Sequence, residues 1–139
     1  MLDSLNNSSW QTRVLPAAYD VLAPDGSEIR FLAEVTGGST VHCTLPPGRV
    51  TQAVRHRTVE ETWFFLSGAG EVWRRFGDLS EITAVHGGMA LTIPLGTDFQ
   101  FRTLSQEPLT FVITTIPAWP GPVEAVAVDG IWLDLPGSA

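Results

Sequence analysis

Short alternations of apolar and polar residues, each closed by a turn signal, run through most of the chain. The segments are rich in Val, Thr, Phe and Trp, and 13 glycines and 10 prolines separate them. A period of two combined with β-branched and aromatic residues predicts strands rather than helices. Many short strands at regular spacing predict an all-β sandwich or barrel with antiparallel strands. The predicted strands lie at about 39–45, 49–56, 61–67, 70–76, 81–85, 89–94, 98–103 and 109–116.

Two further segments flank these strands. Segment 19–35 has two alternating stretches around the turn Pro24-Asp25-Gly26 and predicts a β-hairpin. Segment 117–139 is dense in proline and tryptophan, and its large side chains Trp119 and Trp132 need burial. We therefore expect this tail to fold back over the barrel or onto a partner subunit.

Composition narrows the class of protein. The 139 residues suffice for one domain, which we place over 1–139 with its core at about 39–116. Hydrophobic residues form 44% of the chain and charged residues 17%, which is typical of a compact protein. The formal charge of -7 argues against a nucleic acid partner, and no apolar run approaches the roughly 20 residues of a membrane span. The first ten residues lack a secretion signal and Cys43 is the lone cysteine, so we predict a cytoplasmic protein.

One segment carries residues at a recognisable spacing. From Gly48 to Gly68 the sequence reads GRVTQAVRHRTVEETWFFLSG. It resembles the first signature of the cupin superfamily, G-x5-H-x-H-x(3,4)-E-x6-G. His56 and Glu61 occupy the second histidine and the glutamate of that signature, while Val54 stands where the first histidine belongs.

A second segment, from Gly88 to Thr103, reads GMALTIPLGTDFQFRT. It resembles the second cupin signature, G-x5-P-x-G-x2-H-x3-N, with Pro94 and Gly96 in place. Phe99 replaces the histidine, and the final asparagine is a threonine. The resemblance implies the cupin double-stranded β-helix, an antiparallel jelly-roll barrel. Members of the family usually dimerise, so a homodimer is expected.

The resemblance also predicts the inside of the barrel. Cupins direct the histidines of the first signature inward, which places His56 in the interior. Side chains at alternate positions of a strand share a face, so the residues two and four positions after Glu61 lie on its face. The predicted ligand pocket is therefore lined by Gln52, Val54, Trp63, Phe65, Phe99 and Phe101.

Cupins usually hold a divalent metal on three histidines and one glutamate. This chain keeps His56 and Glu61 and has Val54 and Phe99 at the other two positions. If iron, manganese, nickel or zinc binds, the resemblance assigns it to His56 and Glu61. Water would complete the site, together with His42 if that side chain reaches the interior. The other interpretation is a hydrogen-bonded histidine–glutamate pair without an ion.

A His–Glu pair in an apolar barrel also has the parts of a general acid–base dyad, in which the glutamate orients and charges the imidazole. This interpretation makes His56 and Glu61 catalytic in a sugar-isomerase-like or cyclase-like enzyme that binds a small organic ligand, with or without a metal. The alternative is a non-catalytic binding or sensing cupin that has lost its metal site.

His86 is predicted to lie in a loop outside the site. The run Trp73-Arg74-Arg75 has two interpretations, an anion site or a charged edge strand.

Overall fold

The computed structural model describes residues 10–133. They form two antiparallel sheets, with strand orders β1-β2-β3-β10-β5-β8 and β11-β4-β9-β6-β7. The strands are β1 (Val21–Leu22), β2 (Glu28–Val35), β3 (Gly38–Leu45), β4 (Val54–His56), β5 (Glu60–Ser67), β6 (Ala69–Phe76), β7 (Leu79–His86), β8 (Ala90–Ile93), β9 (Asp98–Thr103), β10 (Leu109–Ile116) and β11 (Ala125–Ala127). The predicted all-β antiparallel jelly roll is confirmed.

Residues 1–9 and 134–139 lie outside the described residues. The prediction about a secretion signal concerns the first of these ranges, and the predicted tail ends in the second. Within 10–133 the helical structure is one 3₁₀ turn, Pro122–Glu124. No helix of this part of the chain is long and apolar enough to cross a membrane.

The observed strands agree with the predicted ones within two residues, apart from segment 49–56. Only Val54–His56 of that segment is a strand. Thr51, Ala53 and Val54 are all buried, so the alternation breaks between residues 53 and 54. The backbone N–H of Thr51 instead donates to the Phe101 carbonyl, at 2.9 Å. A local pattern could not predict this irregular pairing.

Aromatic side chains fill one part of the space between the sheets. Trp63, which is 1% exposed, is at the centre of this cluster. Its ring centroid lies 4.7 Å from that of Phe111, 5.3 Å from that of Phe101 and 5.4 Å from that of Phe99. Such ring pairs add about 0.5–1.5 kcal/mol each beyond the area they bury, so this cluster stabilises the packing of the two sheets.

All four signature glycines, Gly48, Gly68, Gly88 and Gly96, have positive φ. Gly68 has φ 81°, and a Cβ there would collide with the carbonyl of Pro108. Gly88 has φ 95° in the turn between β7 and β8. Residues with a side chain rarely adopt positive φ, which explains why the spacing of these glycines carries information about the fold.

The N-terminal segment lies against β2. The Arg13 guanidinium donates to both carboxylate oxygens of Asp20, at 2.8 and 2.9 Å, and to the Phe31 carbonyl at 2.8 Å. Arg30 on β2 donates to the carbonyls of Pro16 and Ala17, at 2.8 and 2.7 Å. These contacts fix the segment that leads into the hairpin.

The tail folds back over the outer face of the second sheet. Gln100 points away from the core, and its amide nitrogen donates to the carbonyls of Thr51 and Trp132, at 2.8 and 2.7 Å. Its amide oxygen accepts from the backbone N–H groups of Ile131 and Trp132, both at 3.0 Å. The Arg102 guanidinium lies 4.4 Å above the Trp132 ring. A buried glutamine is thus fully paired and holds the tail in place.

Candidate functional site

A cavity of about 240 Å³ lies between the sheets, next to the aromatic core. A cavity of about 150 Å³ with apolar walls can hold benzene, so this one suits a molecule of roughly ten non-hydrogen atoms. Its hairpin side consists of Val21, Leu22, Ala23, Pro24, Asp25, Ser27, Ile29 and Phe31. The sheets contribute Val41, Val54, His56, Glu61, Trp63, Phe99, Phe101, Ile113 and Thr115, and the tail contributes Trp119, Gly121, Pro122 and Ala125.

His56, at the end of β4, borders this cavity and is 7% exposed. Its ring packs edge-on against Phe99 and Trp119, with centroid distances of 5.2 and 5.3 Å. The Nδ1 atom is buried and has no hydrogen-bond partner within residues 10–133. Burial lowers the pKa of His56 to about 4, against the opposing effect of the nearby Glu124 charge. The ring is therefore neutral at pH 7.

Glu61, the second residue of β5, is also 7% exposed. Its Oε1 accepts a hydrogen bond from Trp63 Nε1 at 2.9 Å, and its Oε2 accepts one from Thr115 Oγ1 at 3.1 Å. Burial raises the pKa of Glu61 to about 7, although these two hydrogen bonds act in the opposite direction. Near neutral pH the carboxyl group is therefore protonated in about half of the molecules.

His56 and Glu61 face each other without a direct hydrogen bond. His56 Nδ1 and Glu61 Oε2 are 3.9 Å apart, which is beyond hydrogen-bonding distance. The expectation of a hydrogen-bonded pair is therefore wrong. Burial also disfavours the charged form of both groups, which argues against an imidazolium held by the glutamate.

The two positions that the cupin signatures assign to histidine lie side by side. Val54 on β4 and Phe99 on β9 are cross-strand neighbours, and both border the cavity. Trp63 and Phe101 border it as well. Phe65 does not: it packs against Phe111 at 4.7 Å, within the closed part of the core. Its assignment to the pocket is wrong because β5 leaves the cavity two residues after Trp63.

Two other candidates fall outside the cavity. Gln52 is exposed, because the break in alternation before Val54 reverses the face expected for residue 52. His42 lies on the opposite face of β3 from Val41, and Val41 is the residue that borders the cavity. Burial and the charge of Arg30 lower the pKa of His42. The assignments of Gln52 to the pocket and of His42 to a metal are therefore wrong.

His86 stays outside the site, as predicted, but it ends strand β7 instead of lying in a loop. Its side chain is exposed, with Nδ1 3.0 Å from the Gly87 carbonyl oxygen. His86 is therefore not part of the cavity wall.

The donors around the cavity do not fit a transition metal. Such sites normally take at least three protein donors. Here His56 and Glu61 are the two retained ones, both oxygens of Glu61 already accept hydrogen bonds, and Val54 and Phe99 offer no donor atom. Asp25 also borders the cavity, but its Oδ1 already accepts two hydrogen bonds from Ser27. Among residues 10–133 no group of three or more His, Cys, Asp or Glu side chains is arranged to hold an ion. We therefore derive no chemistry through a metal.

Sequence reasoning missed the contribution of the hairpin. Asp25 borders the cavity and is half-buried. Its Oδ1 accepts hydrogen bonds from the backbone N–H and the hydroxyl of Ser27, at 2.9 and 2.6 Å. Burial raises the pKa of Asp25, while these hydrogen bonds lower it. The turn signal was visible in the sequence, but nothing local indicated that the turn lies over the site.

The tail supplies the second part that was missed. Trp119 borders the cavity beside His56, and its backbone N–H donates to Ser39 Oγ at 3.0 Å. Ala125, in β11, pairs with His56 across the edge of the second sheet. The need to bury Trp119 was the available signal, and it could not indicate where the side chain would go.

Glu124 fastens this part of the tail to the segment between β4 and β5. It is 3% exposed, and its carboxylate accepts hydrogen bonds from the backbone N–H and the hydroxyl of Thr58 and from the N–H of Val59. Although burial disfavours the charge, these hydrogen bonds lower the pKa of Glu124. The cavity wall formed by the tail is thus held by a charged anchor.

Positive charge lies elsewhere in the molecule. All eight basic residues are arginines, and none of them borders the cavity. Arg55 and Arg75 both bind the buried Asp98, at 2.6 Å, and Arg74 binds Glu81. These ion pairs already occupy the arginines of the Trp73-Arg74-Arg75 run, which argues against its interpretation as an anion site.

A protein-family model described as the cupin domain matches residues 41–115 of this chain. No curated protein matches the chain. Among solved structures, oxalate decarboxylase from Bacillus subtilis is similar with a TM-score of 0.64 and 14% identity, over 73% of this chain and 28% of that chain. The capsular polysaccharide assembling protein CapF from Staphylococcus aureus is similar with a TM-score of 0.66 and 15% identity, over 91% and 34%. A conserved protein with a double-stranded β-helix domain from Klebsiella pneumoniae has a TM-score of 0.62 and 17% identity, over 86% and 91%.

The chain thus spans about a third or less of the length of the first two proteins. At identities of 14–17% these likenesses show a shared fold and carry no activity with them.

Proposed function

The chain belongs to the cupin family, and we propose that it binds a small, largely apolar organic molecule in the cavity between its sheets. The observation that carries this proposal is made at His56, a residue of the cavity wall whose buried Nδ1 has no hydrogen-bond partner within residues 10–133 and lies 3.9 Å from Glu61 Oε2. An unpaired buried nitrogen costs on the order of 1–3 kcal/mol. A ligand that pairs with it would recover that free energy.

The spacing of the two groups suits one bridging atom. An oxygen or nitrogen atom about 2.8 Å from both His56 Nδ1 and Glu61 Oε2 would form two hydrogen bonds with an angle of roughly 90° between them. The apolar part of the ligand would then rest against the aromatic wall. We expect one polar group at this point and a hydrocarbon frame around it.

The walls argue against two classes of ligand. A sugar carries a hydroxyl on almost every carbon, and each one buried without a partner costs free energy. A phosphate or a dicarboxylate such as oxalate needs positive charge, and no arginine borders the cavity. We therefore prefer an apolar ligand to the sugar of an isomerase-like enzyme or the substrate of the decarboxylase with a similar fold.

A fragment panel tests the proposal. Saturation-transfer NMR would be run with compounds of about ten non-hydrogen atoms that carry a single hydroxyl, ketone, amine or carboxylate. Ala23→Phe fills the cavity from the hairpin, whereas the exposed Ala33→Phe on β2 is the matched control. Binding should disappear in the first variant and persist in the second. Binding that survives Ala23→Phe would place the ligand elsewhere and refute the proposal.

A second candidate function is acid–base catalysis. Near neutral pH Glu61 holds a proton in about half of the molecules, while His56 Nδ1, 3.9 Å from Glu61 Oε2, is free to accept one. His56 would take a proton from a bound ketone or alcohol and Glu61 would deliver one to the same molecule, as an isomerisation or cyclisation requires. Glu61→Gln would abolish turnover of any substrate found, while a plain binding domain would show none in the wild type.

Two sequence predictions remain part of the proposal. A homodimer is supported by large apolar side chains exposed on the outer faces of the sheets, including Phe64 and Leu66 on β5 and Ile82 on β7. Light scattering after size exclusion should give the mass of two chains, and a monomer at 100 μM would contradict this. A cytoplasmic location stays a prediction from the sequence.

A further inference from the structure

We propose that the ligand of this cavity carries a protonated amine, held between Glu61 and His56 and enclosed by aromatic rings. This inference rests on the proposed function, because it names the chemical class of molecule that the same cavity would take.

The charge around the cavity is the first observation. Among residues 10–133, the titratable residues that border it are Asp25, His56 and Glu61, and two of these are acids. Glu124, 3% exposed, adds a further carboxylate whose charge acts on His56. No arginine borders the cavity, and the chain as a whole carries a formal charge of -7. Both the local and the overall field therefore favour a cation over an anion.

The second observation is the number of acceptors. The His56 side chain is 93% buried, and its Nδ1, unpaired within residues 10–133, accepts a hydrogen bond when the ring proton is on Nε2. The ionised Glu61 offers a second acceptor 3.9 Å away. An ammonium group has several N–H donors and no acceptor, so it can satisfy both atoms at once. A hydroxyl has one donor, and a carboxylate has none.

The aromatic rings are the third observation. A desolvated cation is attracted to the faces of tryptophan, tyrosine and phenylalanine, and sites for organic ammonium ions commonly use such rings. The same rings give the hydrocarbon part of an amine an apolar surface. Those bordering this cavity are Phe31, Trp63, Phe99, Phe101 and Trp119.

Three compounds that share one frame and differ in charge test this inference. Isothermal titration calorimetry at pH 8 would compare 2-phenylethylamine, 2-phenylethanol and phenylacetate, all close to the size of the cavity. We expect the amine to bind at least tenfold more tightly than the alcohol and phenylacetate to bind most weakly. A factor of ten corresponds to 1.4 kcal/mol.

The matched variants are Glu61→Gln and Glu60→Gln, because these adjacent carboxylates lie on opposite faces of β5 and Glu60 is exposed. Glu61→Gln should weaken the amine at least tenfold and the alcohol less than threefold, while Glu60→Gln should leave both within twofold. Asp25→Asn should weaken the amine by a smaller factor. The comparison of the three compounds on the wild type needs no variant to fold.

The outcomes separate the two proposals. If the alcohol or phenylacetate binds as tightly as the amine, or if Glu61→Gln leaves amine affinity unchanged, the amine inference is overturned and the cavity remains a ligand site. If none of the three compounds binds at 10 mM, the amine inference is also overturned. The fragment panel with Ala23→Phe then decides the proposed function independently.

Discussion

Glu61→Gln replaces a buried carboxyl group by an uncharged amide of nearly the same shape. The amide oxygen can still accept the hydrogen bond from Trp63 Nε1, so the main loss is the contact with Thr115. Burial raises the pKa of Glu61 from 4.5 to about 7. The folded protein therefore keeps a proton that the unfolded chain has already released, and glutamine has no such proton to keep.

The sign of the effect follows from proton binding. Between pH 4.5 and about 7 the folded state binds more protons at Glu61 than the unfolded state, so the free energy of unfolding falls as the pH rises. Below this range both states are protonated, and no difference arises. Above about pH 7 the whole difference between the two pKa values of Glu61, 4.5 and about 7, contributes. At 1.36 kcal/mol per pH unit, this difference lowers the free energy of unfolding of the wild type by roughly 3 kcal/mol.

His56 acts in the opposite sense over an overlapping range. Burial lowers its pKa from 6.5 to about 4, so between these values the unfolded chain binds the extra proton and stability rises with pH. From pH 4.5 to 6.5 the slopes due to Glu61 and His56 therefore oppose each other, and together they contribute little pH dependence. Glu61→Gln removes the slope due to Glu61. The stability of the variant should therefore rise with pH over this range, because only the slope due to His56 is left.

Urea unfolding at pH 4.5, 5.5, 6.5 and 8 measures this difference directly. At pH 4.5 Glu61→Gln should be equal to the wild type or about 1 kcal/mol less stable, because of the lost hydrogen bond. At pH 8 it should be more stable by roughly 2–3 kcal/mol. Glu60→Gln, the exposed neighbour, should show no such trend. A difference between Glu61→Gln and the wild type that stays constant with pH would refute the reasoning.

Further predictions concern the tail, a close packing contact and metals. Glu124→Ala should cost roughly 2–4 kcal/mol in urea unfolding, because it leaves the buried N–H of Val59 and the part-buried N–H of Thr58 without their partner; a loss below 0.5 kcal/mol would contradict its role as an anchor. Gly130→Ala should lower the melting temperature by several degrees, since its Cβ would collide with the glutamine that holds the tail, whereas Gly37→Ala has open space and should change it little. Iron, manganese, nickel or zinc should shift the melting temperature by less than about 1 °C, and a larger rise that Glu61→Gln removes would overturn the conclusion on donors.

The sheets could be predicted from the sequence because alternation and turn residues are local properties. A strand with one buried face has a period of two, and this period is visible in β5, where Glu61, Trp63 and Phe65 are buried and their neighbours exposed. The signature glycines mark turns such as Gly68, whose backbone conformation excludes most other residues. For the same reason Glu61 and Trp63 were correctly expected on one face.

The candidate site was harder to predict, because its walls come from distant parts of the chain. Gln52 was misplaced by an irregularity that depends on the pairing of Thr51 with β9. Asp25 and Trp119 reach the cavity from the hairpin and the tail, and no local pattern specifies where either segment docks. The sequence alone did not decide whether His42 faces inward. In the structure Val41 and the residues at alternate positions from it on β3 face the interior, and His42 lies on the opposite face.

Val54 and Phe99 do more than remove two ligands from the cupin site. A bound divalent ion would keep a neighbouring carboxylate ionised and would attract anionic ligands. Without the donors for such an ion, Glu61 stays buried with no cation beside it, and its pKa rises instead of falling. In this cavity Glu61 then favours a cationic ligand, whereas a cupin site that holds a divalent ion would attract an anionic one. A protonated amine would supply the positive charge that the donor set no longer holds, and its binding would return Glu61 to the ionised state.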